Sequence, residues 1–329
     1  MSAAVFGSAL PATAFSADNH RPITQAAVTH DPQHPFAAGT TSLSNLLNAV
    51  VRSDSGDDEK LFGPAHCDNA DYLSPRNNDN QPYIRSRGEA TRELHACVRL
   101  AYERFVTAVG LADRLVDDSG AVIPDQSPDV KCTFTGTPGP AKCGVLESLG
   151  RSWHAVEDFY AHSNYADRDK GRPFSNGNPP GLHHVAPAPL LRFRDFTGQP
   201  HSPVESVDAF ATFLNGLGLD DLATGCYAAD VDSLGQPVTD CGPKQPRITH
   251  DDNTSSKYAG VPDGLAKDTD GYLRGEYSFN VGVTNFEQVR DQATAEIGWQ
   301  WRDFQAALTD SYGAPRADAM LTVLTHDQG

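Results

Sequence analysis

The stretch WHAVEDFYAHSNY, residues 153–165, sets His154, Asp158 and His162 four residues apart in an otherwise apolar run. Val145, Leu149, Val156 and Phe159 recur at helical spacing, which predicts a helix over 143–163 with a core-facing side and a polar stripe beside it. Residues four apart rise about 6 Å along one face, so the ends of the stripe lie about 12 Å apart along the axis. One ion cannot easily take all three side chains over that length. Two ions can, with Asp158 bridging, His154 on one ion and His162 on the other; hydrolytic ion pairs sit roughly 3.5–4 Å apart, within reach of one carboxylate. The plainer alternative is a ladder of hydrogen-bonded polar side chains on a helix face. Gly150, one turn before His154, leaves room for another segment to approach.

The rest of the chain also reads as helical. HRPITQAAV places Pro22 at a first helical turn, and TSLSNLLNAVV repeats apolar residues at 43, 46, 47, 50 and 51. Ser86 with Glu89, and Thr284 with Glu287, are capping boxes that each open a long helix. Ser202 and Pro203 are expected to start another helix that stops near Gly216, and PRADAMLTVLTHD closes the chain. Extended pairing is expected only at 118–135 and 237–249, and the Gly-, Pro- and Asn-rich segment 164–200 reads as irregular. The expected fold is all-α: a single multi-helix domain over 18–329, with long disulfide-pinned loops and a metal cluster between helices.

The opening MSAAVFGSALPATAFSADNH is apolar, rich in small residues and uncharged until Asp18, with Ala-Thr-Ala at 12–14. Residues 1–17 are therefore read as a signal-peptide-like segment, the alternative being a disordered tail. No later run of about 18 apolar residues predicts a membrane span. The 6 cysteines suit an exported chain, and spacing suggests Cys132–Cys143 and Cys226–Cys241, leaving Cys67–Cys97. The opposing reading is six reduced core thiols. A net charge of −17 argues against non-specific nucleic-acid binding, although a cationic metal site can still attract a phosphate locally.

Two further clusters carry ligand-type residues. FGPAHCDNADYL holds His66 and Asp68 on either side of Cys67, where a disulfide can fix them; DNHRPIT puts His20 at a helix start. Taken singly, each histidine is explained as well by a loop hydrogen bond or a cap. With the long helix they supply His20, His66, Asp68, His154, Asp158 and His162, enough for two ions with positions left for water. His183 and His184 are expected to be exposed or to hydrogen-bond rather than to ligate, and the tryptophans of 298–304 to pack in the core. The Asp-Thr-Asp-Gly run at 268–271 starts like a calcium loop but lacks the later ligands. No GxSxG elbow or GxxxxGK[ST] phosphate loop occurs.

LGRSWHAVEDFYAHSNY resembles the motif of Het-C-type proteins, in which a helix carries His, three residues, Asp-Phe, then Ala-His-Ser-Asn and an aromatic. NHRPITQAAV is similar to the early His-x-x-Ile-Thr helix of the broader superfamily of zinc-dependent phospholipases C and single-strand nucleases. AHCDNADYL resembles the His-x-Asp-Asn segment of the Het-C-like branch. The resemblance covers three short blocks in order, with a weaker echo at 264–310. It implies an all-α fold, ligands at His20, His66, Asp68, His154, Asp158 and His162, and hydrolysis of a phosphodiester by a metal-activated water, with Asp158 bridging or orienting that water. The chain departs from that pattern in having no tryptophan near its start. His201 and Glu205 match the superfamily's later His-x-x-x-Glu only across Pro203.

The expected function is therefore an exported metal-dependent hydrolase of a phosphodiester, such as a phospholipid head group or a nucleotide, with zinc, two ions, as cofactor. The alternative is a non-catalytic, metal-stabilised exported protein of the Het-C type with a partner-binding or cell-surface role. Whether an ion keeps an open position facing a cleft discriminates the two.

Overall fold

The computed structural model describes residues 17–55, 59–134, 139–199, 202–231, 237–239, 241–242, 247–250, 264–265, 267, 273–280 and 282–327. The apolar opening segment 1–16, His201 and the run at 268–271 lie outside them. The described chain is helical: α1 (Ala17–Thr29), α2 (Thr41–Val50), α3 (Arg52–Ser55), α4 (Arg87–Ala112), α5 (Ala141–His162), α6 (Phe193–Phe196), α7 (Val207–Gly216), α8 (Leu273–Glu276), α9 (Asn285–Tyr312) and α10 (Ala314–Thr325). Among the described residues strand is confined to two short antiparallel pairs, β1 (Ala228–Val231) with β2 (Pro237–Thr239) and β3 (Ser278–Asn280) with β4 (Val283–Thr284). Among the described residues of the expected extended region 118–135, Val122 pairs with Val116 at the edge of a small loop.

Both expected capping boxes form. Ser86 and Glu89 exchange bonds at the start of α4, as Thr284 and Glu287 do at the start of α9, satisfying amide donors that a helix start leaves open. Two boundaries differ from the sequence expectation. α1 begins at Ala17, so Pro22 lies inside the helix and forgoes the bond to the carbonyl four residues earlier. α7 starts after Ser206, whose side chain accepts from the Ala209 amide, while 203–205 form a turn. Ser206 has the extended backbone of a cap residue, and its hydroxyl reaches the Ala209 amide.

α5 is the axis of the molecule. Every residue from Gly150 to His162 is buried. A helix enclosed all round needs neighbours on every side, and α4, α2, α9, α3, α1 and α10 all pack against it. Gly150 makes the close approach of α2 possible: a Cβ there would lie 2.5 Å from Ala49 Cβ and 2.8 Å from Val50 N on α2. Toward α9, Trp153 meets Trp301 edge to face at 6.3 Å, and Trp301 stacks on Phe304 at 5.7 Å. Trp301 is fully buried as expected, whereas Trp299 stays partly exposed beneath Arg192. Ser152 donates to the Ala101 carbonyl of α4 at 2.8 Å. The disulfides pair as spacing suggests: Cys67–Cys97, Cys132–Cys143 and Cys226–Cys241. Among the described residues no helix is long and apolar enough to cross a membrane.

Candidate metal centre

The four-residue spacing on α5 turns His154, Asp158 and His162 along one side, and four other segments bring polar side chains to that side. α1 contributes His20. α3 contributes Asp54, carried there because α2 lies against Gly150. The turn after Gly63 contributes His66 and Asp68. The short segment ending at His250 arrives through Gly225, where a Cβ would lie 2.6 Å from both the Thr249 carbonyl carbon and the His250 amide. Gly225 also donates to the His162 carbonyl (3.0 Å) and accepts from the Asn69 amide (2.9 Å), so one residue joins three ligand-bearing segments.

These residues form three buried groups, each compact enough to hold a metal ion: His20, His154 and Asp158; Asp54, His66 and His154; Asp68, His162 and His250. Asp158 stands at the centre. Its Oδ2 lies 2.9 Å from His66 Nδ1 and 3.0 Å from His154 Nε2. Its Oδ1 lies 3.3 Å from His20 Nε2 and 4.0 Å from His162 Nε2. Asp54 Oδ1 is 3.5 Å from His154 Nε2. In the third group Asp68 Oδ1 is 2.8 Å from His162 Nδ1 and 3.2 Å from His250 Nε2, and the two imidazoles stack at 3.7 Å. His154 and His162 thus belong to different groups with Asp158 between them, the division expected from their separation along the helix.

Histidine ligates through the nitrogen that its other hydrogen bond leaves free. Glu157 Oε2 lies 2.5 Å from His20 Nδ1, and its Oε1 accepts from Thr24 Oγ1 at 2.6 Å. The His20 proton is thereby held on Nδ1, and Nε2 is left for a cation. The Glu59 carbonyl lies 3.1 Å from His66 Nε2 and directs Nδ1 inward in the same way. The Glu59 carboxylate is itself braced by Arg104, Arg151 and Ser53.

The charges are strongly perturbed. Burial pushes the Asp158 carboxyl up, but His154, His162 and His20 outweigh it and hold the group well below the usual carboxylate range. Burial likewise opposes Asp68, which His250 and His162 bring down to about 2. At Asp54 burial wins and the value rises. Burial also raises Glu157, to about 7. Both oxygens of Asp54, Oδ1 of Asp158 and Nδ1 of His154 are buried without a hydrogen-bond partner among the described residues. Buried carboxylate oxygens in that state are expensive unless paired or bound to a metal, and clustered imidazoles and carboxylates are what a divalent cation of zinc type takes. The residues therefore fit a metal ion.

All six residues singled out in the sequence, His20, His66, Asp68, His154, Asp158 and His162, meet here, and all are buried. Asp54, His250, Glu157 and Glu59 were not foreseen. Asp54 sits in RSDSGDDE, which reads as a solvated acidic loop, and His250 is a lone histidine in RITHDD. Glu157 had a signal: an acid beside Asp158 in an otherwise apolar helix. His184 stays outside the groups and stacks on Tyr165 at 4.5 Å. No protein-family model matches the chain, and no curated protein and no solved structure matches it either.

Proposed function

We propose that this protein is an exported metal-dependent hydrolase of phosphodiesters, phospholipase C-like, with two zinc ions. One observation carries the reading: the buried carboxylate of Asp158 stands between His66 and His154 on one oxygen and His20 and His162 on the other. Such ions, when bound, supply Lewis acidity toward a phosphoryl oxygen and lower the pKa of a water. Asp158 would be the carboxylate shared between the ligand sets and would orient a water beside them. Glu157 and the Glu59 carbonyl keep His20 and His66 in the ligating tautomer. Zinc suits a set made of imidazole nitrogens and carboxylate oxygens. The like order of ligand blocks in Het-C-type proteins supports the same set. In a chain of net charge −17, a cationic centre is the place where a phosphate is attracted rather than repelled. The three disulfides support export, since such bonds persist in oxidising compartments.

A second reading, a metal-stabilised protein without catalysis, is favoured by the burial of every ligand side chain. The test is zinc content of protein purified without chelator, followed by turnover of bis(p-nitrophenyl) phosphate and phospholipids. About two zinc ions per chain, with turnover lost together with metal in Asp158→Asn, is the expected result. Zinc without turnover of any phosphodiester leaves the structural reading. Absence of zinc, with no stabilisation on adding it, overturns both.

A further inference from the structure

The turn between Gly63 and Asn69 is the one described segment outside α5 that serves two of the groups. His66 faces Asp158 Oδ2 at 2.9 Å, and two residues later Asp68 faces His162 Nδ1 at 2.8 Å. Between them Cys67 has φ +56°, a left-handed conformation disfavoured for a residue with a Cβ. That conformation closes the turn: the Asp68 amide donates to the Gly63 carbonyl at 2.9 Å, and the His66 carbonyl lies 3.0 Å from His162 Nδ1. The residue that takes the unfavourable conformation is also the residue that is covalently tied. Cys67 is bonded to Cys97, buried within α4, and α4 is fastened to α5 a turn further on by the bond from Ser152 to the Ala101 carbonyl.

We propose that the Cys67–Cys97 disulfide is a positioning element of the metal centre: it holds the left-handed turn that presents His66 and Asp68, so tight metal capture requires this bond. The proposal rests on the metal-binding reading above. Cys132–Cys143 is the natural control. It fastens the start of α5 eleven residues before His154, about 16 Å along the axis, and none of its residues belongs to a ligand group. Cys226–Cys241 is not a control, because the Cys226 carbonyl accepts from the amide of His250.

The experiment is a zinc titration against a chromophoric chelator on the full chain, with helix content followed by circular dichroism. Cys67→Ala/Cys97→Ala is expected to weaken zinc binding by about 10- to 100-fold, the range typical for loss of a ligand's supporting group. Cys132→Ala/Cys143→Ala, whose bond packs on Ala49 of α2 but holds no ligand-bearing turn, is expected to lose markedly less affinity. Cys67→Gly/Cys97→Ala is expected to regain several-fold of the loss, because glycine takes positive φ freely. A role in stability alone would not produce that rescue. If the Ala/Ala variant loses its helix content, the Gly/Ala variant carries the comparison and is expected to bind more weakly than the wild type. Wild-type affinity in the folded Cys67/Cys97 variants, or equal loss in the control pair, overturns the proposal while leaving the metal centre standing. A wild type that binds no zinc overturns the metal reading and this proposal with it.

Discussion

Replacing Gly150 by alanine tests whether one helix contact sets both the fold and the metal centre. The new Cβ would lie 2.5 Å from Ala49 Cβ, and 2.8 Å from both the Ala49 carbonyl carbon and the Val50 amide nitrogen. Carbon atoms at ease sit about 3.5–4.0 Å apart, so α2 and α5 must separate by about 1 Å. Two of the three atoms are backbone, and no rotamer change relieves them. Overpacking of this kind costs about 1–3 kcal/mol, offset by up to about 1 kcal/mol from the better helix propensity of alanine. A net loss of about 1–2 kcal/mol is expected in urea unfolding of the metal-free protein. The same shift moves Asp54, which follows α2 on α3 and now lies 3.5 Å from His154 Nε2. Ligand distances tolerate about 0.2 Å, so zinc affinity should fall by roughly tenfold. Adding Ala49→Gly removes only the Cβ contact and should restore part of both losses. A Gly150→Ala protein as stable as the wild type, with unchanged zinc affinity, would refute the argument that this contact delivers Asp54.

Three other outcomes are expected. Glu157→Gln weakens the hold on the His20 Nδ1 proton and should lower zinc affinity by about tenfold with little change in helix content; unaltered affinity would remove Glu157 from the centre. Gly225→Ala drives a Cβ into the Thr249–His250 backbone and should reduce zinc stoichiometry by displacing His250 from Asp68; full stoichiometry in a folded variant would contradict this. Glu296 is buried, accepts from Tyr160 Oη at 2.9 Å and from the Ala188 amide at 3.0 Å, and is raised by burial from 4.5 to about 7. Between those values the folded state keeps a proton that the unfolded state has released, so this contribution is full below 4.5 and is lost as pH rises through about 7. Glu296→Gln should flatten the pH dependence of stability over that interval by on the order of 3 kcal/mol relative to wild type, and an unchanged slope in urea titrations would count against it.

The elements that were legible in the sequence are those whose signals are local. The capping boxes at Ser86–Glu89 and Thr284–Glu287 lie within one helical turn and form as expected. Cys132–Cys143 and Cys226–Cys241 close short loops of sequence separation 11 and 15, and the third pair follows from them. The helix starts expected at His20, with Pro22 in its first turn, and at Ser202 fall instead at Ala17 and after Ser206, because a proline or serine admits a helix start without compelling one. Asp54 and His250 looked like residues of polar loops. Nothing near Asp54 in the chain announces that Gly150, about a hundred residues away, lets α2 lie against α5. Nothing near His250 announces the close approach at Gly225.

The sequence by itself determined that the chain is helical, and that His154, Asp158 and His162 share one side of a helix with too long a span for a single ion. Period and rise are properties of the backbone, and they hold wherever the helix is placed. Only the tertiary structure decided which imidazoles and carboxylates meet that stripe. It brought His20, Asp54, His66, Asp68 and His250 from five separate places in the chain to the side chains of α5, in groups each compact enough for an ion, and it turned Glu157 toward His20 rather than toward solvent. The physical reason is that the ligand set depends on how closely separate backbones approach. That approach is settled by the absence of a Cβ at Gly150 and Gly225 and by the covalent tie at Cys67, acting between segments far apart in the chain.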